Sequence, residues 1–86
     1  MSEVKLNGNN FELFVDGAKA GEMTFQKKDD GSIDIVHTQV DEKYSGQGLG
    51  KELVKAGTDY AKSQNLKVTA SCPYAHKVIS STPEFQ

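Results

Sequence analysis

The spacing of apolar residues first changes, from a period of two to one of about 3.6, at a glycine-rich stretch. Before that stretch, Phe11-Glu12-Leu13-Phe14-Val15 alternates as a strand with Phe11, Leu13 and Val15 on one face. Asp16-Gly17 follows, a hairpin signal because type I′ turns need positive φ. The return strand, Ala20 to Lys27, turns Met23 and Phe25 inward, and Asp29-Asp30-Gly31 makes the second turn. Ser32 to Thr38 is predicted as a third strand, with Ile33, Ile35 and His37 on one face and Val36 and Thr38 on the other. The first part of the chain therefore predicts an antiparallel meander.

From Leu49 onward, Leu49, Leu53, Ala56, Gly57, Tyr60 and Ala61 recur at helical spacing. The charged residues Lys51, Glu52, Lys55, Asp59 and Lys62 fall largely off that stripe. Asn65 suits the helix end, because asparagine tolerates left-handed φ. Leu66 to Cys72 reads as a fourth strand, and Pro73 stops it and opens a short helix to about Ser81. In the tail, Thr82 to Gln86, Phe85 is expected to fold back onto the body. A right-handed crossover lays the third and fourth strands parallel. Ligands in such sheets sit at the carboxyl ends of strands, which is where His37, Thr38 and Cys72 fall.

Composition narrows the classes. Eighty-six residues suit one domain, expected to span 1–86, with a single modest core. Charged residues make up 26% and hydrophobic ones 36%, the balance of a folded globular chain. A net charge of -2 argues against a nucleic-acid partner, which asks for a basic face. No apolar run approaches a membrane span or a secretory signal core. One cysteine makes no internal disulfide, which fits a reducing, cytoplasmic setting. One Cys and two His are too few soft ligands for zinc.

The point where the period changes, Val40 to Leu53, holds glycines at 46, 48 and 50. A strand, a glycine-rich turn and a helix in that order set bare N–H groups beside a helix N-terminus, an arrangement that favours an anion. A tight turn into a packed helix asks for similar residues, so the spacing alone leaves both readings open. No glycine is followed, after four residues, by the Gly-Lys-Ser/Thr of a Walker loop, and G-x-G-x-G is not the dinucleotide fingerprint.

The run Val40 to Leu53 resembles the coenzyme A pyrophosphate loop of the GNAT acyltransferases, Arg/Gln-x-x-Gly-x-Gly/Ala, here Ser45-Gly46-Gln47-Gly48-Leu49-Gly50. His37-Thr38-Gln39-Val40, Cys72-Pro73-Tyr74 and Pro83-Glu84-Phe85 resemble marks of a small GNAT-like subgroup of about this length, over residues 10 to 86. The resemblance implies a compact α+β GNAT-like fold, an antiparallel meander followed by β-α-β-α with one parallel strand pair. It implies acetyl-CoA as cofactor, held by Thr38, Gln39, Val40, Tyr44, Ser45, Gly46, Gln47, Gly48, Leu49, Gly50, Lys51, Pro73 and Tyr74. The activity it implies is N-acetyl transfer to a small-molecule or peptide amine, the alternative being a non-catalytic acyl-CoA-binding module.

Three departures bear on that inference. Ser45 stands where the family carries Arg/Gln, which removes a side-chain contact to phosphate but keeps the backbone donors. The tyrosine that larger members use as general acid has no match, Val78 or Ile79 falling near its place. The N-terminal helices that build their substrate wall have no counterpart here. Cys72 reads either as a small buried hydrophobe or, beside the thioester, as an acyl acceptor or channel wall. A nucleophilic role needs a lowered thiol pKa, from the helix end at Pro73 or from His37 or His76 as base. His37 reads as a hydrogen-bonded core residue or a catalytic base, and His76 as solvent-facing. Lys51 reads as a phosphate contact or a solvated lysine, and Tyr44 as a cover for adenosine or as core.

Overall fold

The structure, a computed structural model, describes residues 2–85. It is built on a five-stranded sheet in sequence order: β1 (Ser2–Asn7), β2 (Asn10–Val15), β3 (Ala18–Lys27), β4 (Ser32–Val40) and β5 (Lys67–Ala70). The first four strands are antiparallel neighbours, and β5 joins β4 in parallel after the crossover helix α1 (Leu49–Ser63). A second helix, α2 (Pro73–Ser81), follows β5, and a single-turn 3-10 helix, Pro83–Phe85, ends the described chain.

The meander, the parallel pair and α2 stand as the sequence predicts. Asp16 and Gly17 both take positive φ, 50° and 85°, as a type I′ hairpin asks. Asn65 adopts φ 57° just past α1, and Phe85 is buried. The strand β1 was not foreseen: Val4 and Leu6 alternate before a turn at Gly8-Asn9, but their side chains are half-buried and exposed, so the apolar signal is thin.

Both helices cover one sheet face. The residues Phe11, Leu13, Met23, Phe25, Ile33 and Ile35 point to them and are buried beneath Leu53, Val54 and Ala61. The rings of Phe11, Phe25 and Tyr60 cluster with centroids 5.5–5.8 Å apart. The buried stripe of α1 includes Val54 and Thr58, while Ala56 and Tyr60 are half-buried, so it is rotated from the predicted one. The opposite sheet face is polar, with Thr24 bonded to Asn10 and Lys19 bridging Glu12 and Glu22.

Two register shifts aim the chain. Leu13 pairs Gly21 while Phe14 pairs Lys19, which leaves Ala20 as the extra residue of a bulge in β3. Thr24 pairs His37 while Phe25 pairs Ile35, which leaves Val36 extra in β4. Directly opposed residues share a face, and Met23, buried, pairs Thr38. The bulge thus puts Thr38 on the helix side with Ile35 and turns His37 to the other face. This corrects the alternation read from the sequence, where His37 shared the face of Ile33 and Ile35. An inserted residue reverses the parity of every position after it.

Candidate functional site

Two strands that pair and then part create the site. The pairing of β4 with β5 ends at Ile35 and Ala70, yet β4 continues to Val40. At the fork, the Ile35 carbonyl accepts both the Ser71 and the Cys72 amide, each at 3.0 Å. Beyond it, the β4 edge that faced β5 has no strand beside it among the described residues. A cleft of about 350 Å³ opens there, lined by Thr38, Val40, Ser45, Gly46, Gly48, Leu49, Gly50 and Tyr74.

The loop between β4 and α1 is held at its base. The Asp41 amide donates to the Ala20 carbonyl, on the β3 bulge, at 2.7 Å, and the Asp41 carboxylate accepts from the Lys43 amide at 3.0 Å. A single 3-10 turn, Glu42–Tyr44, leads into the glycines. Gly46 and Gly48 sit at φ 80° and 75°, the left-handed region that glycine enters without strain. No atom lies within 4 Å of where their Cβ would be, so it is the backbone conformation, not crowding, that selects glycine there. Gly48 caps α1 and, as a glycine, offers its first amides no side-chain partner; Gly48, Leu49 and Gly50 all line the cleft. Gly50 is selected differently: a Cβ there would meet the Tyr74 hydroxyl at 2.5 Å, so the tyrosine ring lies directly against the start of α1.

Cys72 caps α2, with Pro73 at the first helical position. It is buried, and its Sγ donates to the Thr38 hydroxyl at 3.7 Å. Burial alone would raise the thiol pKa, but the Ala75 amide, the Thr38 hydroxyl and the Tyr74 amide together hold it below the ordinary value. Burial raises the Tyr74 phenol, and negative charge on Cys72 raises it further.

The predicted site residues separate on this frame. Thr38, Val40, Ser45, Gly46, Gly48, Leu49, Gly50 and Tyr74 converge on the cleft, and Cys72 joins them through Thr38. The side chains of Gln47 and Lys51 are exposed on the loop and on the first turn of α1, and Pro73 is exposed at the start of α2. Tyr44 packs partly against the core, with the Lys43 ammonium 5.5 Å from its ring centre. Gln39 and His37 are exposed on the far sheet face, where the imidazole Nε2 and the Gln39 amide oxygen lie 3.3 Å apart. Of the two bases the sequence left open for the thiol, His37 lies across the sheet from it, and His76 is exposed on α2. The described residues hold no group of side chains fit to bind a metal ion.

Sequence reasoning passed over Asp34. It is buried on the face away from the helices, and its two oxygens accept from the Thr69 hydroxyl at 2.7 Å and the Ser71 hydroxyl at 2.6 Å. An acidic residue between Ile33 and Ile35 gives no sign in the sequence of the two hydroxyls brought to it, Thr69 on β5 and Ser71 just past its end.

Comparison with known proteins agrees with this architecture. A GCN5-like protein of Staphylococcus aureus superposes with a TM-score of 0.79 at 34% identity, over 98% of this chain and 83% of that one. The chicken protein NATD1, Gallus gallus, is 35% identical over 51 residues, 59% of this chain and 46% of that protein. The match thus spans about half the length of that curated relative. A GNAT family acetyltransferase from Elizabethkingia anophelis, solved with acetyl-CoA bound, shares the fold at 22% identity and a TM-score of 0.66, over 71% of this chain and 40% of that one. The sequence model of the GCN5-related N-acetyl-transferase family matches residues 10–86, and the chain belongs to that family.

Proposed function

We propose that this chain binds acetyl-CoA in the cleft between β4 and the start of α1 and moves its acetyl group to an amine. One observation carries the reading: the unpaired edge of β4 leads from an amide-rich loop to a buried thiol. The residues fit the group at three points. The left-handed glycines and the uncapped amides of α1 suit a pyrophosphate. The open strand edge at Thr38 to Val40 suits an amide-bearing pantetheine, which can bond to it as an added strand would. Tyr74, against Gly50, walls the passage between them.

Bound there, acetyl-CoA supplies an activated thioester. The loop amides would hold its anionic end, and the β4 edge would orient the chain, with Cys72 beyond that edge through Thr38. The Thr38 hydroxyl and the amides that open α2 favour the thiolate, which supports a route through Cys72. In it, Cys72 takes the acetyl group as the coenzyme A thiolate leaves, and an amine then takes it from Cys72, giving up a proton and freeing the thiolate. His37, across the sheet, is assigned to the acceptor amine approaching from the open face rather than to the thiol.

Amide-shift mapping during titration with coenzyme A tests the site. Residues 37–51 and 72–78 should move together, and shifts confined to the first hairpin would place the ligand elsewhere. A second reading, a non-catalytic acyl-CoA-binding module, is favoured by Val78 and Ile79, half-buried aliphatics where larger members carry an acidic tyrosine. Tight binding with no acetyl loss to thiol or to amine would select it.

A further inference from the structure

The backbone carbonyl of Ile35 and the carboxylate of Asp34 grip the same short segment from adjacent positions on β4. The carbonyl takes the amides of Ser71 and Cys72, and Asp34 Oδ2 takes the Ser71 hydroxyl at 2.6 Å. Asp34 and Ser71 lie on the sheet face away from the helices, whereas Cys72 turns to the helix side, toward Thr38. The other carboxylate oxygen takes the Thr69 hydroxyl, which in turn receives the Lys28 ammonium at 3.5 Å. The carboxylate is thus anchored on β5 at one oxygen and fixes the residue before the cysteine with the other.

We propose that Asp34 is a positioning residue for Cys72, holding the thiol in register with Thr38 and the start of α2 by gripping Ser71. This rests on the reading that the thiol borders the acyl-CoA cleft. The position of the thiol matters because the groups favouring its anion, the amides of Ala75 and Tyr74 and the Thr38 hydroxyl, are short-range partners. A small turn of the segment loses them, and burial then acts on the thiol unopposed. Lys28 is the charge acting on Asp34, and Tyr74 is the titratable group coupled to the thiol. Asp34 reaches Cys72 through the chain and not through its field.

The test is the pH profile of Cys72 alkylation by iodoacetamide, with thermal unfolding recorded on the same samples. In Asp34→Ala and in Ser71→Ala the midpoint should rise, slowing alkylation at neutral pH about tenfold for each unit of rise. Asp34→Asn should keep the wild-type midpoint, because an amide still accepts from Thr69 and can donate to Ser71. Folded Asp34→Ala and Ser71→Ala proteins with wild-type midpoints would overturn the proposal, as would an Asn variant displaced as far as the Ala one. A purely structural role lowers the unfolding temperature without moving the midpoint. Should Asp34→Ala fail to fold, Ser71→Ala, at an exposed position, decides alone. Protection of the wild-type thiol by acetyl-CoA is a separate arm; its absence would remove the cofactor reading and leave the midpoints interpretable.

Discussion

Cys72 occupies a position where two local effects oppose each other. Burial works against its thiolate, while the amides that open α2 and the Thr38 hydroxyl work for it, and the thiol ends below its ordinary pKa. If it carries the acetyl group, protein mixed with acetyl-CoA should gain one acetyl mass that hydroxylamine removes. Cys72→Ala should then lose both adduct and turnover while binding coenzyme A normally, since the phosphate donors lie on another element. The truncation itself should cost about 1 kcal/mol, measured by denaturant unfolding. Full turnover by Cys72→Ala would leave direct transfer as the route. The sequence disclosed the cysteine and the proline after it. It did not disclose Thr38 as the thiol's partner, because that contact depends on which face Thr38 takes.

The faces were settled at the scale of the element. Alternation in β2 and β3, the Asp16-Gly17 hairpin and the period of α1 were legible because each is local. The bulge at Val36 was not, since nothing in Ile33-Asp34-Ile35-Val36-His37 marks one residue as extra until β3 fixes the register. It moved His37 to the open face and left the glycine loop where the sequence had placed it. Gly48→Asp tests the loop as a unit. No atom lies within 4 Å of the new Cβ, so the variant should fold, at a cost of about 1 kcal/mol for a left-handed non-glycine residue. Its carboxylate would stand at the uncapped helix start, where the cofactor's phosphates belong, and coenzyme A binding should be abolished by calorimetry. Unchanged affinity in a folded variant would remove the loop from the site.

In the molecule as a whole, one sheet face carries both helices and the other stays polar and open, so the proposed function would give cofactor and acceptor separate approaches. His37 stands on the open side. His37→Ala, an exposed change expected to alter stability by less than about 0.5 kcal/mol, should slow amine acetylation and leave the rate of Cys72 alkylation at its wild-type value. Slowed alkylation would instead tie His37 to the thiol. The two sides are joined at the β4–β5 fork, where the surroundings of Asp34 predict a sensitivity to acid. The Ser71 hydroxyl, above all, holds the Asp34 carboxyl below its ordinary pKa against the opposing effect of burial, with Thr69 adding to it. A folded-state pKa below the unfolded value means the charged group stabilises the fold. That contribution is complete above the unfolded value of about 3.9 and is lost as pH falls through the folded one. Unfolding midpoints measured from pH 7 down to pH 2 should therefore drop for the wild type. Asp34→Asn, which keeps the side-chain shape without the titration, should show a shallower acid limb and approach the wild type at the lowest pH. Parallel acid limbs would mean that Asp34 titrates alike in the folded and unfolded chain, and that the fork is held by its backbone bonds alone.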